Sequence, residues 1–282
     1  MNAKLVMKRA RIGFFQILLN LIILGLLFIM LYPLAMTMWN AFKSSISYEN
    51  TKWYPTLPLR INNFKVAYRQ IWRFILNTVF VGTVGAVGCL FISSISAFVF
   101  ARMRFPGRKL LYALVIGLMM LPGVLTLVPS YSIYRFFGLL DSYTVLILPN
   151  IIGGSVFGVF LLTAFFESLP RDIFEAAIID GAGDFTCYYK ISLPLCMPIM
   201  GTLAIMKLVD VWNDYLWPMI TIHDYTKLTI SAGILISFTR QYSQNMPVTF
   251  SGYLIASIPL ILLFVFANRY YIDGLIHNAI KM

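Results

Sequence analysis

Charge is scarce in this sequence. Only 12% of its 282 residues are Asp, Glu, Lys or Arg, against roughly 25% in a soluble domain. Acidic residues are the scarcest, 11 against 22 basic ones. That shortage excludes an ordinary soluble globular chain. Histidine occurs twice, as the isolated His223 and His277, so no metal site is expected. Cys89, Cys187 and Cys196 have no metal-ligand spacing, and their odd, scattered count argues against a disulfide framework. There is no G-x-x-x-x-G-K-[ST] loop to cradle ATP phosphates. G-x-S-x-G and H-E-x-x-H are missing too, and no nucleophile–base pair replaces them. Fixed-period repeats and low-complexity segments are also lacking.

Apolar length is plentiful. The chain is 60% hydrophobic with a mean hydropathy of +0.81. Stretches long enough to span a bilayer recur along it. The class implied is an all-α polytopic membrane protein, one domain over 1–282. The net charge of +11 raises the question of nucleic acid. The basic residues, however, cluster beside apolar spans, where lipid headgroups and topology account for them.

Six spans are expected. Lys4, Lys8, Arg9 and Arg11 precede the first, 12–38. It is too long for a signal-peptide core and lacks a clear cleavage site. The second is 74–101. Arg102, Arg104, Arg108 and Lys109 follow it in a short turn, the best positive-inside signal in the chain. The third is 110–130, with Leu121-Pro122-Gly123 and Pro129 expected to bend it or end it early. The fourth is 143–166, where Gly154 and Gly158 have small-xxx-small spacing and predict close packing on a neighbouring helix. The fifth is 195–219 and the sixth is 251–268. Both termini, 102–109 and 167–194 are then expected inside. Residues 39–73, 131–142 and 220–250 are expected outside, although 39–73 is itself rich in Lys and Arg.

The polar segment 167–194, between the fourth and fifth spans, is the most informative stretch. Pro170 sits where a first-turn proline is tolerated, and Asp172 and Glu175 fall in early helical turns. Ile173, Phe174, Ala177 and Ile178 are expected to share one face. Gly181 is a natural helix stop, in a turn that calls for positive φ. Asp184 can cap a second short helix ending before Pro194. A short helix with small Ala and Gly can lie in a groove on a partner. The plainer alternative is an amphipathic loop packed on its own bundle.

In this segment Glu175-Ala176-Ala177 is followed after three residues by Gly181, and after nine more by Ile191-x-Leu193-Pro194. The pattern resembles the EAA loop of ABC-importer permeases, and every fixed position is filled. Leu169-Pro170 and Pro198 resemble its carbohydrate branch, of MalG type. The resemblance implies a coupling helix at Glu175, Ala176, Ala177, Asp180 and Gly181, with Ile191, Leu193 and Pro194 completing the loop. It also implies a second homologous permease, two ATP-binding subunits carrying ATP and Mg, and an extracellular substrate-binding protein. This chain would then be a non-catalytic subunit without a cofactor of its own, multi-pass in a bacterial cell membrane. It would serve the import of a sugar or oligosaccharide, or alternatively of another small polar solute. The outer segment 220–250, longer than a turn needs, would reach the binding protein.

The fifth span carries Lys207, Asp210 and Asp214 at helical spacing, expected on one face. Trp212-Asn213-Asp214-Tyr215 with Pro218 resembles a motif common in sugar permeases, which implies a place on the translocation path. Aromatic rings beside hydrogen-bonding groups suit sugars. Two readings stay open, a Lys207–Asp210 pair that only stabilises the bundle and a role in the pathway. Two other classes compete with the importer. An ion- or proton-coupled transporter would use these three residues as a relay. A membrane-embedded lipid enzyme would need the nucleophile–base pair that is missing.

Overall fold

The computed structural model describes the backbone of residues 3–240 and 245–279, with side chains at 15–238 and 245–266. Among these the chain is helical, with no strand. Five helices are long and apolar enough to cross a membrane, or six if one bent pair counts as a span. The chain forms two compact units, 1–69 with 238–255, and 70–237 with 256–282.

In the first unit, α1 (Ala3–Ala41) carries the first apolar run, and Phe15–Ala41 within it holds no charged residue. The loop expected over 39–73 is largely helical. It contains α2 (Ser45–Asn50), and α3 (Asn62–Arg102) begins well before Phe74. Ser44 caps α2 by accepting from the Ser47 amide. Lys43 is fully buried here, its ammonium donating to the carbonyls of Thr51 and Tyr54. Burial pushes its pKa below the ordinary lysine value. Asn63 bonds the carbonyls of Ala41 and Lys43 at 2.8 Å each. These polar ties turn a composition that reads as loop into ordered structure.

The second unit holds the rest of α3. The third expected span is broken. α4 (Arg108–Leu118) and α5 (Gly123–Phe136) meet at 97° across the expected Leu121-Pro122-Gly123 interruption. α5 runs past the predicted end of that span at 130, so 131–136 are helical. Pro129 lies inside α5.

The fourth span is α6 (Tyr143–Ser168). A Cβ on Gly154 would sit 2.8 Å from the Lys207 side chain and 3.1 Å from Cys89 Sγ. One on Gly158 would sit 2.8 Å from Ser93 Cβ and 3.1 Å from Leu203. The predicted close approach is therefore present, with α3 on one side and the fifth span on the other.

After α7 (Arg171–Ile179) comes α8 (Asp184–Thr186). It passes through a π-helical turn, Cys187–Ser192, straight into α9 (Leu193–Asn213). The short helix expected to end before Pro194 does not end there. Pro194 lies in the first turn of α9, where a missing amide is tolerated, and the π turn just before it changes the hydrogen-bond register.

The fifth span, expected to run unbroken to Met219, is interrupted. The chain leaves the helix at Asp214 and resumes as α10 (Leu216–Thr221). The expected outer segment 220–250 is mostly structured. It holds a 3₁₀ turn at Tyr225–Lys227, α11 (Ile230–Arg240) and the start of α12 (Met246–Ala279). Ile230, Ala232 and Ile234 of α11 are buried. The polar side chains at 239 and 241–244 lie outside the described residues. The tail expected from Arg269 continues α12 to Ala279.

Candidate functional site: the 167–194 loop and the break at Asp214

α7 starts behind Pro170, whose φ of −56° suits the entry, with Asp172 in its first turn. It stops in a Schellman arrangement. Gly181 N–H donates to Ile178 O at 3.0 Å, and Ala182 N–H donates to Ala177 O at 2.9 Å. Gly181 has φ of +82°, the left-handed conformation its place in the pattern predicts. Asp180 is the C-cap.

The predicted common face of α7 is divided. Phe174 is the one buried residue of the helix, and Ala177 packs beside the same core. That core joins Ala97 and Phe98 of α3, Leu162 and Phe166 of α6, and Cys196 and Leu203 of α9. Ile173 and Ile178 instead face outward. Glu175 and Ala176 are exposed as well. So are Ile179 at 85% and Phe185 at 77%, the latter stacked on Tyr189 with ring planes 4° apart. Ile191 and Leu193 are half-buried and Pro194 is exposed.

Two features of this region are not legible in the motif. Tyr188 OH hydrogen-bonds Ser94 Oγ at 2.8 Å, tying the π turn to α3. Arg102 donates from Nη2 to the carbonyls of Phe166 at 2.5 Å and Leu169 at 2.9 Å. Its guanidinium also lies 4.0 Å from the centroid of the Phe174 ring. Sequence reasoning assigned Arg102 to topology alone. Its place at the end of an apolar span, facing a Leu-Pro helix terminus, was the available signal.

At the other end of α9, Lys207 and Asp210 stand within the helix and Asp214 is its C-cap. Lys207 pairs with Asp210 at 2.6 Å, the neutralising contact expected. Asp214 ends the helix: its amide still donates to Asp210 O at 3.0 Å, and its ψ of 112° turns the following chain away. Its Oδ1 accepts from the Trp217 amide at 3.2 Å and starts α10. A helical wheel cannot show this, because the break resides in backbone conformation.

The four residues Trp212, Asn213, Asp214 and Tyr215 do not converge. Trp212 is buried, and its carbonyl accepts from Ser231 Oγ. Asn213 Nδ2 turns back to Val209 O at 2.9 Å, and Tyr215 is half exposed. Asp214 alone lines a cavity of about 420 Å³, with Gly123, Thr126 and Ser130 of α5, Pro149 of α6, and Leu216 and Trp217 of α10. Trp217 is the residue the motif missed. Its Nε1 donates to Val145 O at 2.8 Å and its ring meets Tyr134 edge-on at 5.7 Å.

Beyond α10 the backbone is fastened to its own unit. Asp141, at φ of 58°, accepts from the amides of His223 and Asp224 at 3.0 and 2.8 Å. Asn77 donates to the carbonyls of Thr226 and Leu228, and Thr78 Oγ1 accepts from the Ile230 amide. Asp224 accepts from Thr226, through its hydroxyl and its amide, and lies 3.4 Å from Lys227. Together these hold its carboxyl below the usual carboxylate range.

A broken-helix membrane bundle with a Schellman-stopped surface helix has known counterparts. The family model "Binding-protein-dependent transport system inner membrane component" matches residues 89–276, and the chain belongs to that family. It is 32% identical to the arabinooligosaccharides transport system permease protein AraQ of Bacillus subtilis (strain 168), over 74% of each chain. It is 30% identical to the diacetylchitobiose uptake system permease protein NgcG of Streptomyces coelicolor, over 86% of this chain and 81% of that one. Among solved structures, a bacterial ABC transporter that imports the acidic polysaccharide alginate matches with a TM-score of 0.77. The match covers 90% of this chain and 95% of that one at 21% identity, a likeness of fold.

Proposed function

We propose that this chain is the permease subunit of an ATP-driven importer for a sugar or oligosaccharide, and that 167–194 is where the ATP-binding subunits dock. The observation that carries the docking reading is α7 itself. One ring and one alanine hold it to its own bundle, while Ile178, Ile179 and Phe185 stay exposed beside the filled E-A-A–G spacing. Apolar groups grouped on a polar segment mark an interaction surface. The sugar reading is supported by relatives named for arabinooligosaccharide and diacetylchitobiose transport. A second homologous permease and two ATPases would complete the complex, with an external binding protein delivering substrate. ATP and Mg would be held by the ATPases, and this chain would do no chemistry of its own. Its termini and 167–194 would lie in the cytoplasm of a bacterial cell.

The relay reading gains no support, since Lys207 is paired with Asp210 at 2.6 Å and Asp214 accepts from the Trp217 amide. Asp214 serves the pathway reading better, as the carboxylate on the cavity wall beside Trp217.

The test is co-purification through a tag on this chain, followed by uptake in vesicles of arabinotriose, raffinose and diacetylchitobiose. ATPase subunits in the eluate and ATP-dependent uptake of one of these sugars are expected. Uptake without any ATPase subunit would refute the importer reading. A cysteine at 185 should be labelled by an impermeant thiol reagent only after the cells are opened. One at 245 should be labelled in intact cells.

A further inference from the structure

α7 is held lightly, yet a docked motor could move the spans only through a firm attachment. Phe174 is the helix's one buried side chain, and the face of its ring is covered by Arg102. The same guanidinium closes the end of α6. Phe166 O lies in the last turn of α6, where it also accepts from the Leu169 amide at 3.3 Å, and Leu169 is the C-cap of that helix. Arg102 is itself the last residue of α3. One planar cation thus touches three elements, with its edge on the carbonyls of the α6 terminus and its face on the α7 ring. Lysine could supply charge and one or two hydrogen bonds. It could not supply a plane that bonds at its edge and stacks on its face.

We propose that Arg102 is a positioning residue for coupling, which latches α7 through Phe174 to the joined ends of α3 and α6. The inference rests on the docking reading of α7. Displacement of α7 then carries α3 and α6 with it. Without the latch, α7 can follow the ATPase while the spans stay behind.

The test uses the assembled complex in proteoliposomes, with whichever of arabinotriose, raffinose and diacetylchitobiose the wild type takes up fastest as the probe. The readouts are sugar delivered per ATP hydrolysed and amide hydrogen exchange over 171–182. Arg102→Ala and Phe174→Leu should each assemble and hydrolyse ATP, but deliver roughly tenfold less sugar per ATP. Exchange over α7 should rise in both. Arg102→Lys should fall with Arg102→Ala, and the double variant should be no worse than either single one. An unchanged ratio in Arg102→Ala overturns the latch, as does a double variant whose losses simply add. If Arg102→Ala does not assemble, Phe174→Leu decides, and an unchanged ratio there overturns the latch. Gly181→Val separates the two levels. If it leaves assembly and uptake intact, the docking reading itself fails. If it impairs them while Arg102→Ala keeps its ratio, only the latch is lost.

Discussion

The two ends of the fifth span are built in opposite ways. At 167–194 the backbone is tightly specified while the side chains are left uncovered. Gly181 is in the left-handed conformation and the helix closes in a Schellman turn, yet Ile178, Ile179 and Phe185 point outward. At 214–230 the side chains are spent on the protein itself. Trp217, Asn77, Thr78 and Asp141 tie that segment's backbone down, and α11 is buried. The first end leaves apolar side chains exposed and the second lines a cavity. Both are polar interruptions in sequence, so composition alone does not tell them apart.

The largest effect should come from the packing that both ends share. Gly158→Val places a branched side chain where Ser93 Cβ lies 2.8 Å from the notional Cβ. We expect a loss of about 3 kcal/mol and little assembled complex, read as a lower melting temperature in detergent. Melting at the wild-type temperature would show that α3 and α6 can part there.

Gly181→Val should come next, and it tests the exposed end. No heavy atom lies within 4 Å of the notional Cβ, so the local cost is backbone strain of about 1–2 kcal/mol. The variant should insert in membranes and keep its fold, but lose ATPase co-purification. Retained co-purification with full uptake would erase the contrast between the two ends.

Asp214 sharpens the other side. Asp214→Ala removes the cap of α10, at about 1 kcal/mol, whereas Asp214→Asn keeps a capping oxygen. Asp214→Asn should therefore assemble normally and lower sugar uptake severalfold through loss of the charge. Unchanged uptake in both variants would make the residue purely a cap.

The smallest effect is a pH dependence at Asp224. Its carboxyl titrates below the usual range, so the folded state favours the ionised form. The contribution is complete above the ordinary carboxylate pKa and fades as pH falls through the lower folded value, under about pH 4. Asp224→Asn should flatten the acid side of the melting-temperature profile slightly. An identical profile would show that Thr226 and Lys227 do not hold the carboxylate in solution.

What was legible followed from chemistry confined to a few neighbouring residues. The E-A-A–G spacing located α7 and the positive φ of Gly181, and Gly154 with Gly158 located the close approach. Leu121-Pro122-Gly123 located the break between α4 and α5. What was not legible depended on distant partners. The chain exits helix at Asp214 despite continuous apolar periodicity, where Ser231 donates to the Trp212 carbonyl and the Trp217 indole is anchored on the Val145 carbonyl of α6. The segment containing α11 reads as polar loop, yet Asn77 and Thr78, far earlier in the chain, satisfy the backbone at its start. α3 begins at Asn62 although Lys65, Arg69 and Arg73 look unsuited to an apolar rod.

The 97° break between α4 and α5 also bears on hydrogen bonding within the membrane. α4 has 11 residues, a rise of about 16 Å, roughly half of a ~30 Å hydrocarbon slab. The turn at 119–122 therefore lies at membrane depth, where amides and carbonyls released from a helix find no partner in lipid. The second interruption, at Asp214, opens on the same cavity as Gly123. The peptide groups at these breaks are paired locally: the amides of Met119, Met120 and Leu121 donate to the carbonyls of Ile116, Gly117 and Leu118, and the Trp217 amide donates to Asp214. Both interruptions can thus sit at membrane depth with these donors satisfied inside the chain, so neither break has to draw on lipid or on a water-filled pore for its hydrogen bonds.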